Sequence, residues 1–364
     1  MSMKHNIYIT LAIVLTILAA CTEHPIDQGP QVPDSSRTYI FFEPEVMEVE
    51  ATKAELVEGG ELPVGSAEKP SAFGVIGYYG TTSIFDAYTN GIAEVYRKGE
   101  KTSFQYDHLA WWRDRDENSN TKHNFFAFYP YSINENVVPN NGNPYITYTL
   151  PTSEADMEDI LTVYKSIARV SSVQIVFQHR LWALDVEVVN RQTGDGYSQP
   201  GAALTPPDLT VVSVKVTLEN IPSAGTMAIE GTGCTVTSRE TREYILPQTG
   251  ITISPIDDPE TIDDKENAAS FGPLLFLPTP VSYNDENGAN KTVSYKLDFT
   301  FRNHWGVEYT QSFPLSAFKL ANEATAFEPG KRYKLTVVKT DTNASVGLTV
   351  TGWNSAPPVE HTFQ

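Results

Sequence analysis

The chain has 364 residues, with 45 acidic against 26 basic side chains and a formal net charge of −19. That balance excludes a nucleic-acid ligand, which needs a basic surface, and a polybasic contact with lipid. Aromatic residues make up 11%, and 24 Pro and 23 Gly accompany them, a profile of many short strands divided by turns.

The first element is an apolar run, Ile7 to Ala20, preceded by Lys4 and His5 and followed by Thr22 and Glu23. At about 14 residues it is too short to cross a hydrocarbon core as a helix, and no later run is long enough either. A short basic region, a short apolar region and small residues before a cut describe a secretory signal over residues 1–20. Leu18-Ala19-Ala20-Cys21 also resembles the lipobox of bacterial lipoproteins. That resemblance implies lipid transfer to the Cys21 thiol, cleavage after Ala20 and anchorage in the outer membrane at the cell surface. Residues 21–37 carry Pro25, Pro30 and Pro33 among polar residues and read as an extended leader or tether. With Cys21 lipidated, Cys234 stands alone, so no intramolecular disulfide is expected. In its Val/Thr-rich setting Cys234 reads as a small buried hydrophobe rather than a nucleophile.

Strand-like pieces then follow about every ten residues. They are "TYIFFEP" (38–44), "SAFGVIGYYG" (71–80), "FFAFYPY" (125–131), "YITYTLP" (145–151) and "ILTVYKS" (160–166). The intervening "PTSEADMEDI" predicts one helical turn and no more. A second series opens with "VQIVFQHRLWALDVEVVN" (173–190), a long apolar alternation, and runs through "VVSVKVTLENI" (211–221) and "YILP" (244–247). "LLFLPTPV" (274–281), "YKLDFTFRN" (295–303), "EYTQSFPL" (308–315), "RYKLTVVKT" (332–340) and "SVGLTVTGW" (345–353) complete it. In the segment from 211, period-two patterning puts Val211, Ser213, Lys215 and Thr217 on one side and Val212, Val214, Val216 and Leu218 on the other. The polar stretches "DDPETIDDKEN" (257–267) and "NDENG" (284–288) read as loops. The class is therefore all-β, with two antiparallel β-sandwiches expected over 38–170 and 171–364. Phe177, with Ile175 and Leu181, is expected inside the second.

Catalytic and metal-binding constellations are missing from the pattern. The seven histidines show no HExxH motif and no zinc spacing, and there is no nucleophile elbow, Walker loop or dinucleotide fingerprint. Asp114, Asp116 and Asn118 alternate as in a calcium loop, but Ser119 replaces its glycine and Phe125 its closing glutamate. No cofactor is expected and no enzymatic activity. His179, set in an apolar strand, reads as a core histidine satisfied by a backbone carbonyl. Trp111 and Trp112 offer either a platform for stacking sugars or one core and one surface ring.

Taken together, the lipobox and the strand series resemble the fimbrillin-like proteins of Bacteroidales, the subunits of type V pili. The resemblance rests on the Trp112 segment leading into "NFFAFYPY", on "DILTVYKS", "VQIVFQHRLWAL" and "VSVKVTLENIP", and on "FGPLLFLPTP", "FEPGKRYKLTVV" and "LTVTGW" ending at Trp353. It implies two tandem transthyretin-like β-sandwich domains and a non-catalytic adhesive or structural role. It also implies an arginine-directed cleavage, for which Arg37 is the candidate, and other pilus subunits as partners by donor-strand insertion. The short "NSAPPVEHTFQ" after Trp353, with Pro357 and Pro358, departs from a shaft subunit's donor strand and favours a tip or accessory place. The alternative expectation is a surface lipoprotein that binds glycan through Trp111 and Trp112 without entering a filament.

Overall fold

The computed structural model describes residues 37–46, 62, 71–97, 104–113, 121–140, 142–192, 208–246, 250–255, 268–303, 305–320, 324–340 and 344–352. Over these it is built of strands with three short 3₁₀ helices. In chain order the strands are β1 (Phe42–Val46), β2 (Ser71–Tyr79), β3 (Thr82–Ser83), β4 (Ile92–Arg97), β5 (His123–Tyr129), β6 (Val137–Val138), β7 (Tyr145–Thr149) and β8 (Leu161–Ile167). Next come β9 (Val173–His179), β10 (Trp182–Asn190), β11 (Leu209–Ala228), β12 (Cys234–Leu246), β13 (Ile251–Ile253), β14 (Ala268–Phe276) and β15 (Thr279–Pro280). The last are β16 (Ser282–Asn284), β17 (Asn290–Thr292), β18 (Ser294–Arg302), β19 (Glu308–Ala317), β20 (Ala326–Phe327), β21 (Lys331–Lys339) and β22 (Ala344–Gly352). The expected helical turn is there at Glu154–Asp156, capped by Ser153, whose Oγ accepts the Ala155 N–H at 3.2 Å.

Three large sheets organise most of these strands, and β15 with β20 and β16 with β17 form two small ones. The first has the order β1-β9-β8-β5-β2-β3, with β4 also on β2. The second has the order β19-β18-β11-β7-β6, with β12 and β13 on β11, and the third is β14-β10-β21-β22. β11 is 20 residues long and joins two regions, pairing with β18 along its first half and with β7 along its last residues. One stretch of the second sheet therefore packs on the third, where Val214, Val216 and Phe299 meet Leu184, Val186 and Leu335 in one core. The other stretch, through Ile146, Met227 and Ile229, covers one face of the first sheet at Ile76, Phe126 and Phe128. The opposite face of that sheet holds a third core around Phe73, Phe125, Phe177 and Trp112. Covered on both sides, β2 is buried at eight successive residues. This crowding explains its glycine at 74, where a Cβ would collide with the Phe128 ring.

Three expectations about register change. The alternation over 173–190 is two strands in different sheets, broken at Arg180 and Leu181. β9, grouped by sequence with the second half, pairs with β8 and with β1 in the first sheet, so Phe177 and Ile175 lie in that sheet's core, while Leu181 packs between the first and second sheets. Conversely β7, from the first half, pairs with β11. Val211 and Val214 are both buried although the alternation sets them on opposite sides, because the pairing with β18 slips between Val211 and Ser213. A bulge there adds a residue and reverses the phase.

Candidate functional site

The segment from Arg37 to Val46 lies along the edge of the first sheet and closes its outer core. β1 runs parallel to β9 in the register Phe42 to Val173 through Val46 to Phe177. The Phe41 carbonyl accepts the Val173 N–H at 2.7 Å, so the odd-numbered residues turn their backbone groups to β9. Pairing continues past Pro44 to Val46. The Pro44 nitrogen points to the open edge, where a missing N–H breaks no ladder bond. Of the apolar residues in "TYIFFEP", Ile40 and Phe42 are buried and Phe41 is 48% exposed. β1 is thus an edge strand with one buried face, not a strand enclosed on both.

Phe42 fills a socket of rings. Its centroid lies 5.5 Å from Phe125, 6.0 Å from Tyr106, 6.3 Å from Phe85 and 6.4 Å from Phe73. The segment before it is held by backbone bonds to residues 110–112, with Ile40 N–H on the Ala110 carbonyl and Trp112 N–H on the Thr38 carbonyl, each 3.0 Å. The Tyr106 hydroxyl donates to the Ile40 carbonyl at 2.6 Å. Burial holds that phenol well above its ordinary pKa, so it remains a donor. Arg169 Nη2 donates to Thr38 Oγ1 at 2.5 Å. Tyr106 and Ala110 were not readable as site residues, since the stretch around them follows no strand period.

Two of the candidates from sequence come together here. The Arg37 guanidinium stacks 3.9 Å from the centroid of Trp111, and Arg113 stacks on the same indole at 4.3 Å. Trp112 points inward at 4% exposure, edge-on to His123 at 4.8 Å and Phe125 at 5.9 Å. The pair is therefore one core ring and one surface ring that already carries cations. Cys21, the Asp114–Asn118 loop, Trp353 and "NSAPPVEHTFQ" lie outside the described residues. His179 bonds not to a carbonyl but to the Asp159 carboxylate, Nδ1 to Oδ2 at 2.8 Å. Cys234 is half-buried, and burial raises its thiol pKa, which lowers its reactivity. Among the described residues no group of three or more His, Cys, Asp or Glu is placed to hold a metal ion, and no helix is long and apolar enough to cross a membrane.

These features define an all-β protein of stacked sheets whose first core is closed by a strand beside a candidate cleavage position. The family model for fimbrillin-like proteins matches residues 64–353, and the chain belongs to that family of fimbrial and cell-adhesion proteins. No curated protein matches it. Among solved structures it resembles a Bacteroides uniformis protein described for cell adhesion, at 16% identity and a TM-score of 0.51, covering 88% of this chain and 100% of that one. It also resembles a fimbrial protein from Bacteroides vulgatus, at 14% identity and a TM-score of 0.51, covering 86% and 99%. At these identities the likeness is one of fold.

Proposed function

We propose that this chain is a lipid-anchored, non-catalytic subunit of a type V pilus on the cell surface, joined to its neighbours by strand exchange. The observation that carries the reading is the way the segment 37–46 is held: β1 and the residues before it lie on the sheet edge, Ile40 and Phe42 fill an aromatic groove, and Arg37 stands at the exposed start. An incoming strand that offered apolar side chains at the same spacing would take over both the groove and the β9 edge. Backbone bonds alone give about 0.5–1.5 kcal/mol each against water, so the ring socket supplies the selectivity. Because β1 follows Arg37, a cut there releases one end of the strand rather than the strand itself. Thr38 must then peel away from Trp112 and Arg169. A tip or accessory position is favoured over the shaft, since Pro357 and Pro358 interrupt the ladder that a donor segment would have to make.

Treatment of the purified chain with an arginine-specific protease is expected to expose Thr38 as the new amino terminus and to permit polymerisation. Arg37→Ala should remain monomeric under the same treatment. Normal filament incorporation by that variant, with Thr38 still joined to its leader, overturns cleavage as the trigger. Anchoring is tested separately. Cys21→Ser removes the acceptor thiol, and two or more acyl chains are what makes a lipid anchor stable. The variant should move from the membrane fraction to the soluble one, and its retention in the membrane would refute lipidation at Cys21.

A further inference from the structure

At one end of the first sheet, the β2–β3 turn, the loop after β3 and the single turn at Thr89–Gly91 surround a cavity of about 230 Å³. Tyr78, Thr81, Ser83, Asp86, Tyr88 and Asn90 line it. We propose that this cavity binds one neutral pyranose unit of a glycan.

The lining chemistry selects the ligand. An apolar ligand would cover the Thr81 hydroxyl, the Asn90 amide and the Asp86 carboxylate without replacing their water, at a desolvation cost. An anionic ligand would meet the Asp86 carboxylate on a chain of net charge −19. A neutral sugar presents hydroxyls that both donate and accept, and a C–H face that packs on an aromatic ring. The Asp86 carboxylate is suited to adjacent sugar hydroxyls: it is 72% exposed, and its ion pair with Arg113 is long, at 3.8 Å. The volume lies below the 300–1,000 Å³ or so of pockets for drug-sized ligands, which limits the occupant to one ring.

The walls are fixed before any ligand arrives. The Ile84 N–H donates to the Gly77 carbonyl at 3.0 Å, and the Phe85 N–H to Ser83 Oγ at 3.3 Å. Tyr88 is held at its hydroxyl by the His108 N–H at 2.8 Å and at its ring by edge contacts with Phe85 and His108. Asn90, at φ 57°, occupies the left-handed region that non-glycine residues visit rarely, and Gly91 follows at φ 68°. A Cβ on residue 91 would come within 3.1 Å of Ser83 Oγ. Such backbone strain collects at binding sites, and a preformed wall loses little freedom when a ligand binds.

The site borders the β1 region, since Arg113 pairs with Asp86 and stacks on Trp111, and Phe85 in its wall contacts Phe42. Saturation-transfer NMR and calorimetry on the purified chain would use methyl glycosides of the neutral hexoses and N-acetylhexosamines as probes. At least one is expected to bind in the millimolar range. Asp86→Ala should weaken it about tenfold or more, the loss of a charge-assisted pair of hydrogen bonds. Ile245→Ala, at an exposed residue of β12 in the second sheet, should leave the affinity unchanged, with both variants keeping the unfolding midpoint of the parent. Three results would overturn the proposal: no binding by any glycoside of the set, undiminished binding by Asp86→Ala, or loss of binding in Ile245→Ala.

Discussion

Replacing Phe177 by alanine is expected to cost about 3–5 kcal/mol of stability, through lost burial and the cavity left behind. The side chain is fully buried, in the core of the first sheet, and meets Phe73 edge-on at 5.5 Å. Its strand alternates strictly, with Val173, Ile175, Phe177 and His179 inside and Gln174, Val176 and Gln178 outside. Phe177 is also the register partner of Val46, so its loss should loosen the end of β1 as well as the core. Phe177→Leu keeps most of the volume and should cost less. Urea unfolding monitored by tryptophan fluorescence checks both variants. A change below about 1 kcal/mol for the alanine variant would contradict the burial of this strand, since a cavity in a close-packed interior is always costly.

Strand phase of this kind was legible because it depends only on neighbours two residues away. β7, β8, β9 and β21 are found where aromatic and β-branched residues alternate, and β2 and β5, covered on both faces, where such residues run together. The failures have physical causes that a local pattern does not contain. No Gly or Pro marks the break between β9 and β10. There the Arg180 guanidinium donates to the carbonyls of Ala228, Gly231 and Gly233 in the β11–β12 turn, a tie to a distant part of the chain. The first part of β12 has a mostly exposed, polar sequence with no apolar face, so its period is invisible. β4, "IAEVYR", is short and framed by turn residues. Sharing of β7 and β9 between regions also escapes a linear reading, which assigns strands to halves in order. At the candidate site, the apolar residues of "TYIFFEP" and the arginine before them were readable. What was not readable is the stacking of Arg37 on Trp111 and the bond from Tyr106 to Ile40, because both join segments far apart in sequence.

Asp159→Ala is expected to cost about 1–3 kcal/mol, because it leaves the buried imidazole without its hydrogen-bond partner. Asp159 and His179 have side chains 1% and 2% exposed, bonded at 2.8 Å where the end of β9 meets the start of β8. The same corner is tied by the Arg180 N–H to the Ile160 carbonyl at 2.8 Å, so the pair fixes the point at which the chain leaves the first sheet for the third. Solvent cannot replace the lost carboxylate in so enclosed a place, and the imidazole keeps its full desolvation cost. Asp159→Asn preserves both the size and an acceptor oxygen, so it should be milder than alanine. The double variant Asp159→Leu with His179→Phe removes the polar groups together, and it should recover part of the loss even though neither replacement is an exact fit. Chemical unfolding of these variants, and of the single changes Asp159→Leu and His179→Phe, separates the pair's energy from that of simple packing. If Asp159→Ala costs less than about 1 kcal/mol, or if the double variant is no better than the sum of its single changes, the carboxylate and the imidazole do not act as a coupled pair and the corner is held by β-sheet pairing alone.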